Sequence, residues 1–95
     1  MNKAMEWVLQ SLERYLKEKD QSPLLILKQD QSEDTDGITI CACGEEQSWY
    51  IIKHLLFMDI KHISLYHKDN GDDEESSSYI NFDLKNDGER SFNFF

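Results

Sequence analysis

The stretch Gly44-Glu45-Glu46-Gln47-Ser48-Trp49-Tyr50-Ile51-Ile52-Lys53-His54-Leu55-Leu56-Phe57-Met58 has two readings, and the fold turns on which one holds. Read in twos, Ser48–Lys53 is an aromatic and β-branched strand; read at a period of 3.6, the run from about Glu45 to Met58 is a helix. The helix is favoured. Glu45 and Glu46 complement the positive end of a helix, and Ser48, Trp49, Ile52, Leu55 and Leu56 fall on one face. Glu46, Tyr50, Lys53, His54 and Phe57 then form the opposite stripe, with the rings of Tyr50 and Phe57 on the wetter side. A helix of about 14 residues spans roughly 21 Å, comparable to a six-residue strand. It carries the chain back along the preceding strand, so the next strand runs parallel to that one.

Working outward, Met5, Val8, Leu9, Leu12, Tyr15 and Leu16 recur at helical spacing with Trp7 beside them. They predict an amphipathic helix from about Lys3 to Lys19, stopped by Gln21-Ser22-Pro23. Leu24–Leu27 is an unbroken apolar run and reads as a central buried strand. Ile38–Cys43 alternates and reads as its partner across a polar hairpin loop, Asp30–Gly37. Lys61–His67 and Tyr79–Leu84 are strands, the second with Ile80, Phe82 and Leu84 inward. Asn86-Asp87-Gly88 is a hairpin signal leading into Ser91–Phe95, with Phe92 and Phe94 on one face. The expected fold is a single α+β domain over residues 1–95, ordered α-β-β-α-β-β-β. It has one mixed, mostly antiparallel five-stranded sheet with two helices packed on it.

The chain carries a net charge of −9, unevenly placed. Six acids face one base over residues 24–48, and eight face two over residues 69–95. In the expected topology the Gly44 corner and the segment Lys68–Ser78, KDNGDDEESSS, meet at one end of the sheet. That gathers Glu45, Glu46, Asp69, Asp72, Asp73, Glu74 and Glu75 at one pole. The Asp30–Gly37 loop and the Asn86-Asp87-Gly88 turn lie at the other. A balance this acidic argues against direct binding of nucleic acid or anionic membranes, both of which need a basic footprint. No apolar run approaches the roughly 18 residues of a membrane span. The first residues do not resemble a secretory signal, so the expected compartment is the cytoplasm.

Catalytic and metal chemistry find little footing. Cys41 and Cys43 are two apart, a poor geometry for a disulfide, and read as reduced thiols half-buried beneath a helix. With His54, His62 and His67 they supply zinc-ligand atom types but no ligand spacing. Neither acidic segment fits a calcium loop. Counting from Asp69, the sixth residue is Glu74 where glycine is needed and the twelfth is Ile80 where glutamate is needed. Gly37, Gly44, Gly71 and Gly88 each stand alone at a turn, so no phosphate-binding loop is present. The expectation is no enzyme, no metal and no cofactor.

Binding fits better. Acidic rims speed association with basic partners, and aromatic anchors then supply affinity. The expected partner-binding residues are Glu45, Glu46, Tyr50, Phe57, Asp69, Asp72, Asp73, Glu74 and Glu75, with Tyr66 and Tyr79 as further outward or half-exposed rings. In size and charge the chain resembles small acidic inhibitors of the bacterial immunity type, which mask the active site of a basic, nuclease-like toxin. No motif transfers a residue role. The alternatives are a phage-type nucleic-acid mimic that inhibits a restriction or CRISPR nuclease, and a non-enzymatic regulatory interaction module. Three phenylalanines in the last four residues also raise homodimerisation through the C-terminal strand.

Overall fold

A computed structural model describes residues 3–21, 25–31, 36–42, 44–68, 77–85 and 89–94. The class is the expected one, α+β, with two helices and a mixed sheet among the described residues. The elements are α1 (Lys3–Glu18), β1 (Leu25–Gln31), β2 (Asp36–Ala42), α2 (Glu45–Phe57), β3 (His62–Lys68), β4 (Ser77–Asp83) and β5 (Ser91–Phe94).

α1 buries Met5, Val8, Leu9, Leu12 and Leu16, the stripe its periodicity calls for. It ends before Pro23 is reached. Asp20 turns left-handed at φ 56°, its N–H donates to the Lys17 carbonyl at 3.2 Å, and the Gln21 N–H reaches back to the Leu16 carbonyl at 2.9 Å. α2 ends in the same way. Asp59, at φ 62°, donates to Leu56, and Ile60 donates to Leu55, both at 3.0 Å. These paired bonds satisfy carbonyls that a helix end otherwise leaves open. Leu55 and Ile60 are both buried, which seals the second cap with an apolar contact.

The helix reading of the decisive stretch holds, but its rotation differs from the expected face. The buried face is Gln47, Ser48, Ile51, Ile52 and Leu55. Trp49 and Leu56, expected inward, are exposed, and Ile51, assigned to neither stripe, is fully buried. Gly44 opens the helix at φ 94° and ψ 169°, a region that residues with a Cβ rarely enter. The Ser48 hydroxyl, buried beneath it, donates to the Gly44 carbonyl at 2.9 Å.

The strand order is β1-β2-β4-β3-β5. β2 and β3 are each antiparallel to β4, so they run parallel to one another with β4 between them. The helical crossover was expected to produce that parallel relation. With both edges of β4 taken, β5 docks on the free edge of β3, parallel to it. The hairpin expected from Asn86-Asp87-Gly88 is therefore corrected: those residues lie outside the described set, and the strands they separate are not neighbours. β1 is likewise an edge strand rather than a central one, with Ile26 exposed. Its ladder with β2 runs from Leu25↔Cys41 to Gln31↔Asp36, so Asp30, Gln31, Asp36 and Gly37 of the expected Asp30–Gly37 loop are strand, the residues between them lying outside the described set.

Register aligns two apolar rows across the sheet, Ile38–Phe82–Ile63–Phe92 and Ile40–Ile80–Leu65–Phe94. Their inner members pack with both helices into one core. Both helices therefore cover the same face. Cys41, one residue out of phase with Ile40 and Ala42, lies on the opposite face and not beneath a helix; Cys43 lies outside the described residues.

Candidate functional site

The two apolar rows are buried until they reach the edge. Ile63 and Leu65 are almost wholly covered, whereas Phe92 and Phe94, their partners on β5, are 37% and 52% exposed. β5 is the outermost strand, with the first turns of α2 nearby. From there the Trp49 ring projects over Phe94, with centroids 6.3 Å apart and planes tilted by 41°. Trp49 is itself 52% exposed, and Leu56, two turns along the same side of α2, is 40% exposed. Scattered exposed apolar residues need no explanation, but a contiguous strip does. The Trp49–Phe94 pair, in ring contact between a helix and an open sheet edge, is the centre of this strip; exposed Phe92 lies two residues along β5 and exposed Leu56 two turns along α2.

Acidic groups border it at the start of α2, and the exposed Lys53, four residues after Trp49, borders it farther along. Glu45 and Glu46 are exposed in the first turn of α2, four and three residues before Trp49, which places them on its side of the helix. Lys68 pairs with Ser77 and Ala42 with Ser78. Lys68, Ser77 and Ser78 thus lie with Ala42 at the end of the sheet where α2 begins. Asp69, Asp72, Asp73, Glu74 and Glu75 lie outside the described residues.

The other flank of α2 meets α1 along a seam of rings. Tyr15 packs edge-on against Tyr50 at 6.1 Å and stacks on His54 at 4.5 Å, and Phe57 follows His54 at 6.0 Å. The Lys19 ammonium sits 5.6 Å above Tyr15, and Ser11 Oγ is hydrogen-bonded to His54 Nε2 at 3.0 Å. Burial among these groups pushes the His54 imidazole below its ordinary value of 6.5, while the Glu18 charge draws it partly back. The expected site residues are therefore divided. Tyr50 is half-buried in the inter-helix seam and faces away from the Trp49 side. Phe57 is the most exposed large apolar side chain among the described residues, at 84%, at the end of α2 remote from Glu45 and Glu46. Tyr66 and Tyr79 stack on each other at 5.4 Å on the sheet face that the helices leave open. Only Glu45 and Glu46, of the expected set that is described, border the Trp49–Phe94 strip.

The 3.6-residue period does not single out the outward position of Trp49, because apolar residues cover most of the circumference of α2. The polar pair Gln47 and Ser48 rotates into the core, and Trp49 rotates out. The clue available beforehand was Phe92-Asn93-Phe94 near the chain's end, whose alternate rings need a neighbour. Elsewhere, an open cleft of about 330 Å³ runs beside Trp7, lined by Ile60, Lys61, Asp83, Leu84 and Lys85 among others. Its charges alternate in sign, and Asp59 on its rim is already paired with Arg90. Among the described residues no three His, Cys, Asp or Glu side chains are grouped to hold a metal ion. No described helix is long and apolar enough to cross a membrane. Comparison with protein-family models, curated proteins and solved structures finds no match.

Proposed function

We propose that this chain is a non-enzymatic binding protein that captures a basic protein partner on the α2–β5 flank. The Trp49–Phe94 pair is the anchor, Phe92 and Leu56 extend the contact, and Glu45 and Glu46 form part of its acidic rim. The observation that carries the reading is the half-exposed Trp49–Phe94 pair standing beside the acidic first turn of α2. Aromatic anchors flanked by charge suit a docking surface, where a few central rings dominate affinity and rim charges set the approach rate. A field from nine net negative charges raises encounter with cations and repels acidic competitors. In its most specific form the partner is a nuclease-like toxin in a bacterial cytoplasm, and the chain is an immunity-type inhibitor covering the toxin's active site.

A pull-down from the native host at low salt, with wild type and Trp49→Ala side by side, tests this. Wild type is expected to retain a protein of strongly basic composition that elutes as salt rises, and Trp49→Ala is expected to lose it. Recovery of no basic protein at low salt, or equal recovery by both forms, overturns the reading.

A further inference from the structure

The open side of β5 carries more than rings. The Ser91 N–H donates to the Lys61 carbonyl at 2.9 Å, one residue before its register partner His62, as a parallel ladder requires. N–H groups alternate along a strand, so the Asn93 N–H also points toward β3. Those of Phe92 and Phe94 point away from it. No strand lies beyond β5 among the described residues. The edge therefore presents two backbone N–H groups and their carbonyls to the outside, on the same residues whose rings border the Trp49 strip.

We infer that the partner is held by strand addition: an extended basic segment of the partner pairs with β5 as a further strand of the sheet. This rests on the docking surface proposed above and specifies how that surface is occupied. Side chains alternate across an added strand at period two. Every second residue of the segment would continue the rows Ile63–Phe92 and Leu65–Phe94 outward and meet the exposed faces of Trp49 and Leu56. Those residues are apolar. The intervening residues fall on the opposite sheet face, beside Ser91 and Asn93, where cations stay hydrated within the chain's negative field. Main-chain bonds supply affinity and the strip selects alternate apolar side chains. Charge decides against a second copy as the occupant, because each copy carries −9 and pairing two would bring like fields together.

The probe is the octapeptide acetyl-(Lys-Val)4-amide, with acetyl-(Lys-Ser)4-amide and acetyl-(Glu-Val)4-amide as controls, titrated into the full chain at low salt. The lysine–valine peptide alone is expected to bind, to change Trp49 emission and to slow hydrogen exchange at the Phe92 and Phe94 amides while leaving Asn93 unchanged. Phe92→Pro and Phe92→Ala both lose the ring, but only the proline lacks the outward N–H, and proline is tolerated on an edge strand in that orientation. The proline form is expected to bind about fivefold to tenfold more weakly than the alanine form, the scale of one main-chain bond. Binding that perturbs Trp49 without protecting the two amides, with the variants equal, overturns strand addition and leaves the docking strip standing. Binding that ignores Trp49→Ala overturns the docking strip itself. Failure of the lysine–valine peptide to bind, or equal binding by the lysine–serine peptide, overturns strand addition. Protection of both amides that grows with protein concentration alone assigns the edge to a second copy and overturns the inference.

Discussion

The rotation of α2 creates the exposed strip, so the sharpest test compares Ile51→Ala with Trp49→Ala. Ile51 is 0% exposed. Its truncation removes three carbon atoms at about 0.8 kcal/mol each and leaves a cavity, which together cost about 2–5 kcal/mol. A chain this size has roughly 5–14 kcal/mol of stability in total, so about 3 kcal/mol is a large share of it. Trp49 is the bigger side chain but keeps about half of its surface in water. A tryptophan buries at most about 250 Å², so roughly 100 Å² is at stake, worth about 2.5 kcal/mol at 25 cal/mol per Å². Compactness of the unfolded chain and the retained Cβ reduce that to about 1–1.5 kcal/mol. Urea unfolding followed by far-ultraviolet circular dichroism, which does not depend on the tryptophan signal, measures both. Ile51→Ala is expected to be the more damaging by about 2 kcal/mol, lowering the melting temperature by roughly 8–16 °C more than Trp49→Ala. If Trp49→Ala costs as much as Ile51→Ala or more, α2 is turned with Trp49 inward and the proposed anchor does not exist.

Other consequences are independent of that rotation. Gly44→Ala meets no atom within 4 Å of the added Cβ but must hold φ 94°, so it is expected to cost about 1–3 kcal/mol in chemical denaturation; a neutral result would place the glycine in an ordinary conformation. Asp20→Gly relieves a left-handed aspartate at φ 56° and is expected to raise stability by about 0.5–1 kcal/mol, read as a higher urea midpoint. For His54, the unfolded chain takes up a proton near 6.5 while the folded chain takes it up only at lower pH. Its contribution to stability is thus complete above pH 6.5 and is lost as pH falls through the window below it. His54→Gln is expected to flatten that part of the stability–pH curve, and an unchanged slope would refute the burial argument. Phe57→Ala is expected to change stability by less than about 1 kcal/mol, since the ring stands largely in solvent; a larger loss in the melting curve would place Phe57 in the core.

Much of this molecule was decided locally, by the sequence. The stripe Met5, Val8, Leu9, Leu12 and Leu16 leaves α1 one apolar direction, and the alternation of Ile38 with Ile40, Ile63 with Leu65 and Ile80 with Phe82 leaves each strand one inward face. A period repeated with one clear phase needs no distant partner to interpret it. Glu45 and Glu46 at the start of α2 were legible for the same reason. What only the tertiary structure decided is which of several apolar sectors each ambiguous element turns inward. On α2 apolar side chains surround most of the helix, and packing against α1, β2 and β4 takes Ile51 inward and leaves Trp49 out. On the sheet, β4 occupies the inner edges of both β2 and β3, which leaves β5 the far edge of β3 in place of a hairpin with β4, and leaves β1 at the other edge with Ile26 exposed. Hydrogen-bonding capacity at a strand edge is shared by every strand in the chain, so its allocation is a property of the assembled sheet. The candidate site arises from that allocation: Trp49 and Phe94 are 45 positions apart in sequence and meet only because a helix and an edge strand each run out of cover at the same place.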